Sequence, residues 1–129
     1  MKEYTKNMVS ISSSGFKQVD YIKDWGFTPP DDYIDFMTEF IEGEGPIGEN
    51  SWLTLWRVDE LAEINRSNII MEDVPEYFLF GKDAADTGYA FNKSYKTYHS
   101  FGLMSDIEND DIVYLGKNFL TFIKNLQDE

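Results

Sequence analysis

The stretch "FLFGKDAADTGYAFN", residues 78–92, decides the fold. Its Gly81-Lys82 pair invites a phosphate-binding reading, which needs a glycine five residues upstream, a Ser or Thr after the lysine, and a following helix. Glu76 occupies the glycine position, Asp83 follows Lys82, and the next run, "YAFN", reads as a strand. A calcium loop fits no better, because Asp83 and Asp86 lack the alternating oxygen ligands and closing Glu of such loops. What remains is a β-hairpin. "YFLF" (77–80) and "YAFN" (89–92) are its strands, Lys82 to Thr87 is the polar turn, and Gly88 permits close packing.

Outward from the hairpin, "SWLTLWRV" (51–58) reads as a strand with Trp52, Thr54 and Trp56 on one side and Leu53 and Leu55 on the other. Apolar on both faces, it belongs inside a sheet. Thr97 to Phe101 is a further strand. "VDELAEIN" (58–65) supports a short helix with Leu61, Ala62 and Ile64 turned inward.

Upstream, Thr28 is positioned to cap a helix, and Asp31 stands three residues on, as in a capping box. Tyr33, Phe36, Met37, Phe40 and Ile41 then form an apolar stripe, ended by Gly43 and Gly45. Phe16, Val19, Ile22 and Trp25 suggest an earlier helix stopped by Gly26, preceded by a loosely ordered segment over residues 1–14. Phe119, Leu120, Phe122, Ile123 and Leu126 describe a last amphipathic helix. The expected architecture is α+β: one domain over residues 1–129, with a mainly antiparallel, twisted sheet packed against helices.

Composition bounds the chemistry. Apolar residues make up 42% of the 129 residues, enough to build one core without disulfides. The chain has no cysteine, which removes thiol catalysis and thiolate metal sites and favours a reducing, cytoplasmic setting. The opening "MKEYTKNMVSISSSGF" lacks the apolar run of a signal peptide, and no later run suits a membrane span. The formal net charge of -13 argues against nucleic acid or anionic lipid as direct partners and fits a basic protein.

His99, the single histidine, projects from a strand whose next residue, Ser100, faces the opposite way, so the two cannot form a hydrolytic triad. Acidic pairs such as Asp31-Asp32 and Glu72-Asp73 sit at helix starts and in loops, where the helix dipole or solvent accounts for them. The residues support no catalytic constellation, metal site or cofactor site, and the expectation is a non-enzymatic protein.

Taken in order, several segments resemble the SUKH superfamily, the Smi/Knr cell-wall-assembly-regulator family. "PPDDYIDFMTEF" is similar to its proline-acidic-Tyr-x-x-Phe helix, and "WLTLWRVDELAEIN" to the strand, short helix and Asn (here Asn65) that follow. "YFLFGKDAADTGYAFN" resembles its Phe-Gly-x-Asp hairpin, and "YLGKNFLTFIKNL" its closing helix. Two loops depart from the pattern: "IEGEGPIG" replaces the usual Asn-Gly pair, and Ala84-Ala85 stands where glycines are common.

The resemblance implies an α+β binding scaffold. Bacterial members look like immunity proteins that bind a polymorphic toxin, often a nuclease, whereas eukaryotic relatives act as regulatory scaffolds. The expected function is a cytoplasmic immunity protein that covers a basic toxin domain with an acidic surface. A regulatory scaffold in a larger assembly is the alternative, and a carboxylate-based enzyme stands behind both. The residues expected to contact the partner are Glu42, Glu44, Glu49, Asp83, Asp86, Asp106, Glu108, Asp110 and Asp111.

Overall fold

The hairpin forms as expected in the computed structural model, which describes residues 9–12, 25–48, 51–103 and 112–128. Among these are seven strands: β1 (Val9–Ser12), β2 (Phe40–Ile47), β3 (Ser51–Leu55), β4 (Tyr77–Lys82), β5 (Thr87–Asn92), β6 (Tyr98–Gly102) and β7 (Val113–Gly116). They pair antiparallel in strict chain order, as one meander. The helices are α1 (Asp31–Glu39), α2 (Leu61–Ser67) and α3 (Phe119–Asp128), with short 3-10 turns at Val58–Glu60 and Ile69–Glu72. The architecture is α+β.

The hairpin turn closes through Asp83. Its N–H donates to the Thr87 carbonyl at 2.9 Å, and its Oδ1 accepts the N–H groups of Ala85 and Thr87 at 2.8 and 3.1 Å. A side chain that mimics a turn carbonyl is a standard use of aspartate. Pairing slips by one residue between Leu79 and Gly81. This bulge lets Gly81 follow Phe80 onto the inner register, opposite Leu55 and Tyr89. Gly81 lies so close to β3 that a Cβ would stand 2.4 Å from the Thr54 carbonyl oxygen. Glycine is what permits that approach.

The inner face of the sheet carries Leu53, Leu55, Phe78, Phe80, Tyr89, Phe91 and Tyr98. Helices α1 and α3 cover it with Tyr33, Met37, Phe119, Phe122, Ile123 and Leu126. Phe80 and Phe91 stack with centroids 4.4 Å apart, and Tyr98 stacks on Phe122 at 5.3 Å. Such pairs each add about 1 kcal/mol beyond area burial. Among the described residues, the outer face is covered over β4–β6, where Met71 and Val74 pack on Leu79, Ala90 and Phe101, while its β2–β3 side carries the exposed Trp52 and Glu44.

Several expectations are corrected. The first described helix ends at Glu39, not at the glycines, and Phe40–Ile47 is a strand held between β1 and β3. Gly43, Gly45 and Ile47 are buried, alternating with Glu42, Glu44 and Pro46 toward the outside. The helix boundary is at Pro30, whose carbonyl accepts the Ile34 N–H at 3.2 Å, rather than at Thr28. Val9–Ser12, expected within a loosely ordered segment, pairs with β2 as an edge strand. Leu120 is 39% exposed and lies off the inward stripe of α3. The earlier helix proposed over residues 14–25 falls outside the described residues except at Trp25, which is buried in the core.

Candidate functional site

The outer face of β2 and β3 forms a groove of about 220 Å³. Strand alternation sends Glu42 and Glu44 of β2 outward, because Gly43 and Gly45 take the inner register opposite Leu55 and Leu53. Thr54 stands beside Glu44 in the cross-strand register. The chain leaves β3 through Trp56 and Arg57 and enters the 3-10 turn Val58–Glu60, whose Val58 is buried in the inner core. That anchored turn brings Glu60 to the groove wall. The groove is therefore lined by three carboxylates, the half-buried Trp56 and one guanidinium.

The guanidinium is already engaged. Arg57 Nε and Nη2 donate to the two carboxylate oxygens of Asp59 at 3.1 and 3.2 Å. The hydrogen bond to Asp59 raises the Arg57 pKa above its ordinary value, and the charges of Glu42 and Glu60 add to the rise. Glu42 and Glu60 are thus near enough to act on Arg57, and with Glu44 they leave the groove acidic on balance. Next to it, Trp52 is 37% exposed, and its indole N–H donates to Thr54 Oγ1 at 3.1 Å. An exposed indole beside a cluster of carboxylates can pack against the aliphatic stem of a lysine or arginine while the acids take its charge.

The structure separates the expected contact residues. Glu42 and Glu44 share the groove, whereas Asp83 is spent on the hairpin turn. Asp86 is exposed at the tip of the same hairpin, and its carbonyl accepts the Leu103 N–H at 2.7 Å. Glu49, Asp106, Glu108, Asp110 and Asp111 lie outside the described residues. The expected contact residues leave out Arg57, Asp59 and Glu60, which fall where the expected strand over 51–58 meets the expected helix over 58–65. The strand in fact ends at Leu55 and frees Arg57 and Glu60 for the groove.

His99 is placed as expected, with Ser100 in the opposite register. Its Nε2 lies 2.7 Å from Thr97 Oγ1, and the ring sits edge-on between Tyr77 and Tyr114, at 5.1 and 5.5 Å. Burial lowers its pKa below the usual histidine value. Among the described residues, no group of three or more His, Asp or Glu side chains is placed to hold a metal ion. No described helix is long and apolar enough to cross a membrane.

No protein-family model matches the chain, and no curated protein matches it.

Proposed function

We propose that the chain is a non-enzymatic binding module that receives a basic segment of another protein on the β2–β3 face. Its cellular role, on this reading, is that of an immunity protein that covers the basic, nucleic-acid-binding surface of a toxin domain. One observation carries the proposal: Glu42, Glu44 and Glu60 converge on a groove whose only described cation, Arg57, is held by Asp59. The net charge of -13 adds a long-range field that steers a basic partner toward the molecule. The ordered resemblance to SUKH segments supports the immunity role in particular. The groove's size suits one or two lysine or arginine side chains, with Trp52 and Trp56 as the aromatic anchors such interfaces use.

The test is capture of partners from the native cell's lysate with tagged protein, across a salt series, beside the triple variant Glu42→Gln, Glu44→Gln, Glu60→Gln. A stoichiometric basic protein, released as salt rises and not retained by the variant, is the expected result. Equal retention by the variant, or an acidic partner, would overturn the groove as the interface.

A further inference from the structure

A second cavity, of about 390 Å³, lies between α2 and the start of β4 and shares no lining residue with the acidic groove. Its walls include Trp25, Met71 and Phe78, all buried, together with Tyr77. Its polar groups are Asn65, Arg66 and Lys93, and none of the described residues that line it is an Asp or Glu. That composition reverses the sign of the molecule. In a chain with 24 acidic and 11 basic side chains, the described walls of this cavity carry two cations and no carboxylate.

The walls are built rather than incidental. The two amide protons of Asn65 go to the carbonyls of Leu61 and Leu79, at 2.8 and 3.0 Å, and its Oδ1 accepts the Leu79 N–H at 2.7 Å. This pins α2 to β4 and fixes the width of the cavity. The Lys93 N–H donates to the Glu76 carbonyl at 2.8 Å, which ties the end of β5 to the start of β4 below the opening. The Lys93 ammonium lies 6.0 Å from the centroid of Phe27, whose ring meets Phe78 edge-on at 5.0 Å. Arg66 is paired with Glu63 at 2.8 Å, but both side chains are about 70% exposed (69% and 71%). A pair so open to water is worth little and gives way readily to a better placed anion.

We propose that this cavity binds a small aromatic monoanion, with a flat apolar body against Trp25, Tyr77 and Phe78 and a carboxylate between Arg66 and Lys93. The volume falls in the range of small-molecule sites, and an apolar floor with a few convergent polar groups is their usual make-up. Guanidinium binds carboxylate through paired hydrogen bonds, while the ammonium contributes a movable point charge. This site is independent of the β2–β3 groove, so its ligand and a protein partner can be held together.

The test uses 2-naphthoate and its uncharged counterpart 2-naphthamide, titrated into the 15N-labelled protein and followed by the backbone amides of Tyr77 and Lys93 and the Trp25 indole N–H. Saturable shifts confined to the cavity are expected, with naphthoate binding about tenfold more tightly than naphthamide. The double variant Arg66→Gln, Lys93→Gln should abolish that preference and keep naphthamide binding, since both side chains sit at the rim and the floor is untouched. Absence of saturable shifts, equal affinity for the two probes, or a preference that survives the double variant would each overturn the proposal.

Discussion

The carboxylate of Asp32 accepts a hydrogen bond from the Tyr98 phenol at 2.8 Å and another, through its second oxygen, from the backbone N–H of Phe119. One side chain in the first turn of α1 thereby holds strand β6 and the first residue of α3. Tyr98 is buried, and desolvation followed by the charge of Asp32 raises its pKa, so it remains a donor at any physiological pH. Asp32→Ala should cost about 3 kcal/mol, because it strands a buried hydroxyl and a helix-terminal N–H. Tyr98→Phe should cost about half as much. Tyr33, equally buried, has a hydroxyl with no hydrogen-bond partner among the described residues. Tyr33→Phe should therefore be neutral or stabilise by up to about 1 kcal/mol. Denaturant midpoints of the three variants check both signs; a destabilising Tyr33→Phe would show that the hydroxyl has a partner in solution.

Asn65 substitutes for a neighbouring strand at Leu79, pairing with both its N–H and its carbonyl. Asn65→Ala should cost about 2 to 3 kcal/mol. Amide exchange at Leu79 should speed up more than at Phe91, which keeps its pairing within the sheet. Uniform acceleration across both strands would mean that Asn65 acts only through global stability.

Two glycines of the hairpin should respond differently to alanine. At Gly81 the new Cβ would meet the Thr54 carbonyl at 2.4 Å, backbone that can move only by parting β3 from β4. At Gly88 it would meet the terminal methyls of Leu103 and Leu79 at 2.7 and 2.9 Å, which can rotate away. Gly81→Ala should cost about 3 kcal/mol or more and Gly88→Ala about 1. Thermal unfolding of both variants, with Gly81→Ala the lower by several degrees, is the expected order.

His99 makes stability depend on pH. Burial lowers its folded-state pKa below the reference value of 6.5, so the unfolded chain binds the proton more readily. Stability should fall as pH drops through the reference value toward the lower folded one, then level off as far as this residue is concerned. In His99→Gln the loss of stability between about pH 7.5 and about pH 5.5 should shrink. An unchanged loss in that variant would assign the effect to the carboxylates.

The sequence was most legible where local pattern and final contacts agree. The β4–β5 hairpin, β3 and the closing helix all follow from apolar periodicity, and each forms at the expected place, although β3 ends at Leu55 and Val58 enters a 3-10 turn. Strand β2 was hidden because Phe40 and Ile41 continue the helical spacing of Tyr33, Phe36 and Met37, while two glycines and a proline mimic a terminator. Pairing on both edges overrides that local preference. Its trace was the two-residue alternation of "EGEGPI". The role of Asp32 had no local trace at all, since its partners lie 66 and 87 residues away. Glu42 and Glu44 were legible as exposed acids, but in a loop after a helix rather than on strand β2. The place of Glu60 depends on how the turn after β3 folds back, which spacing alone does not reveal.

Because the strands pair in the order in which they occur, each new strand finds its neighbour already in place. The lid over the sheet's aromatic side comes last. Helix α3 follows every strand in the chain, so Phe80, Phe91 and Tyr98 face water on the side of Phe119 and Phe122 until that helix emerges and docks. A chain interrupted before α3 therefore leaves this aromatic side bare, the kind of surface through which incompletely folded chains associate.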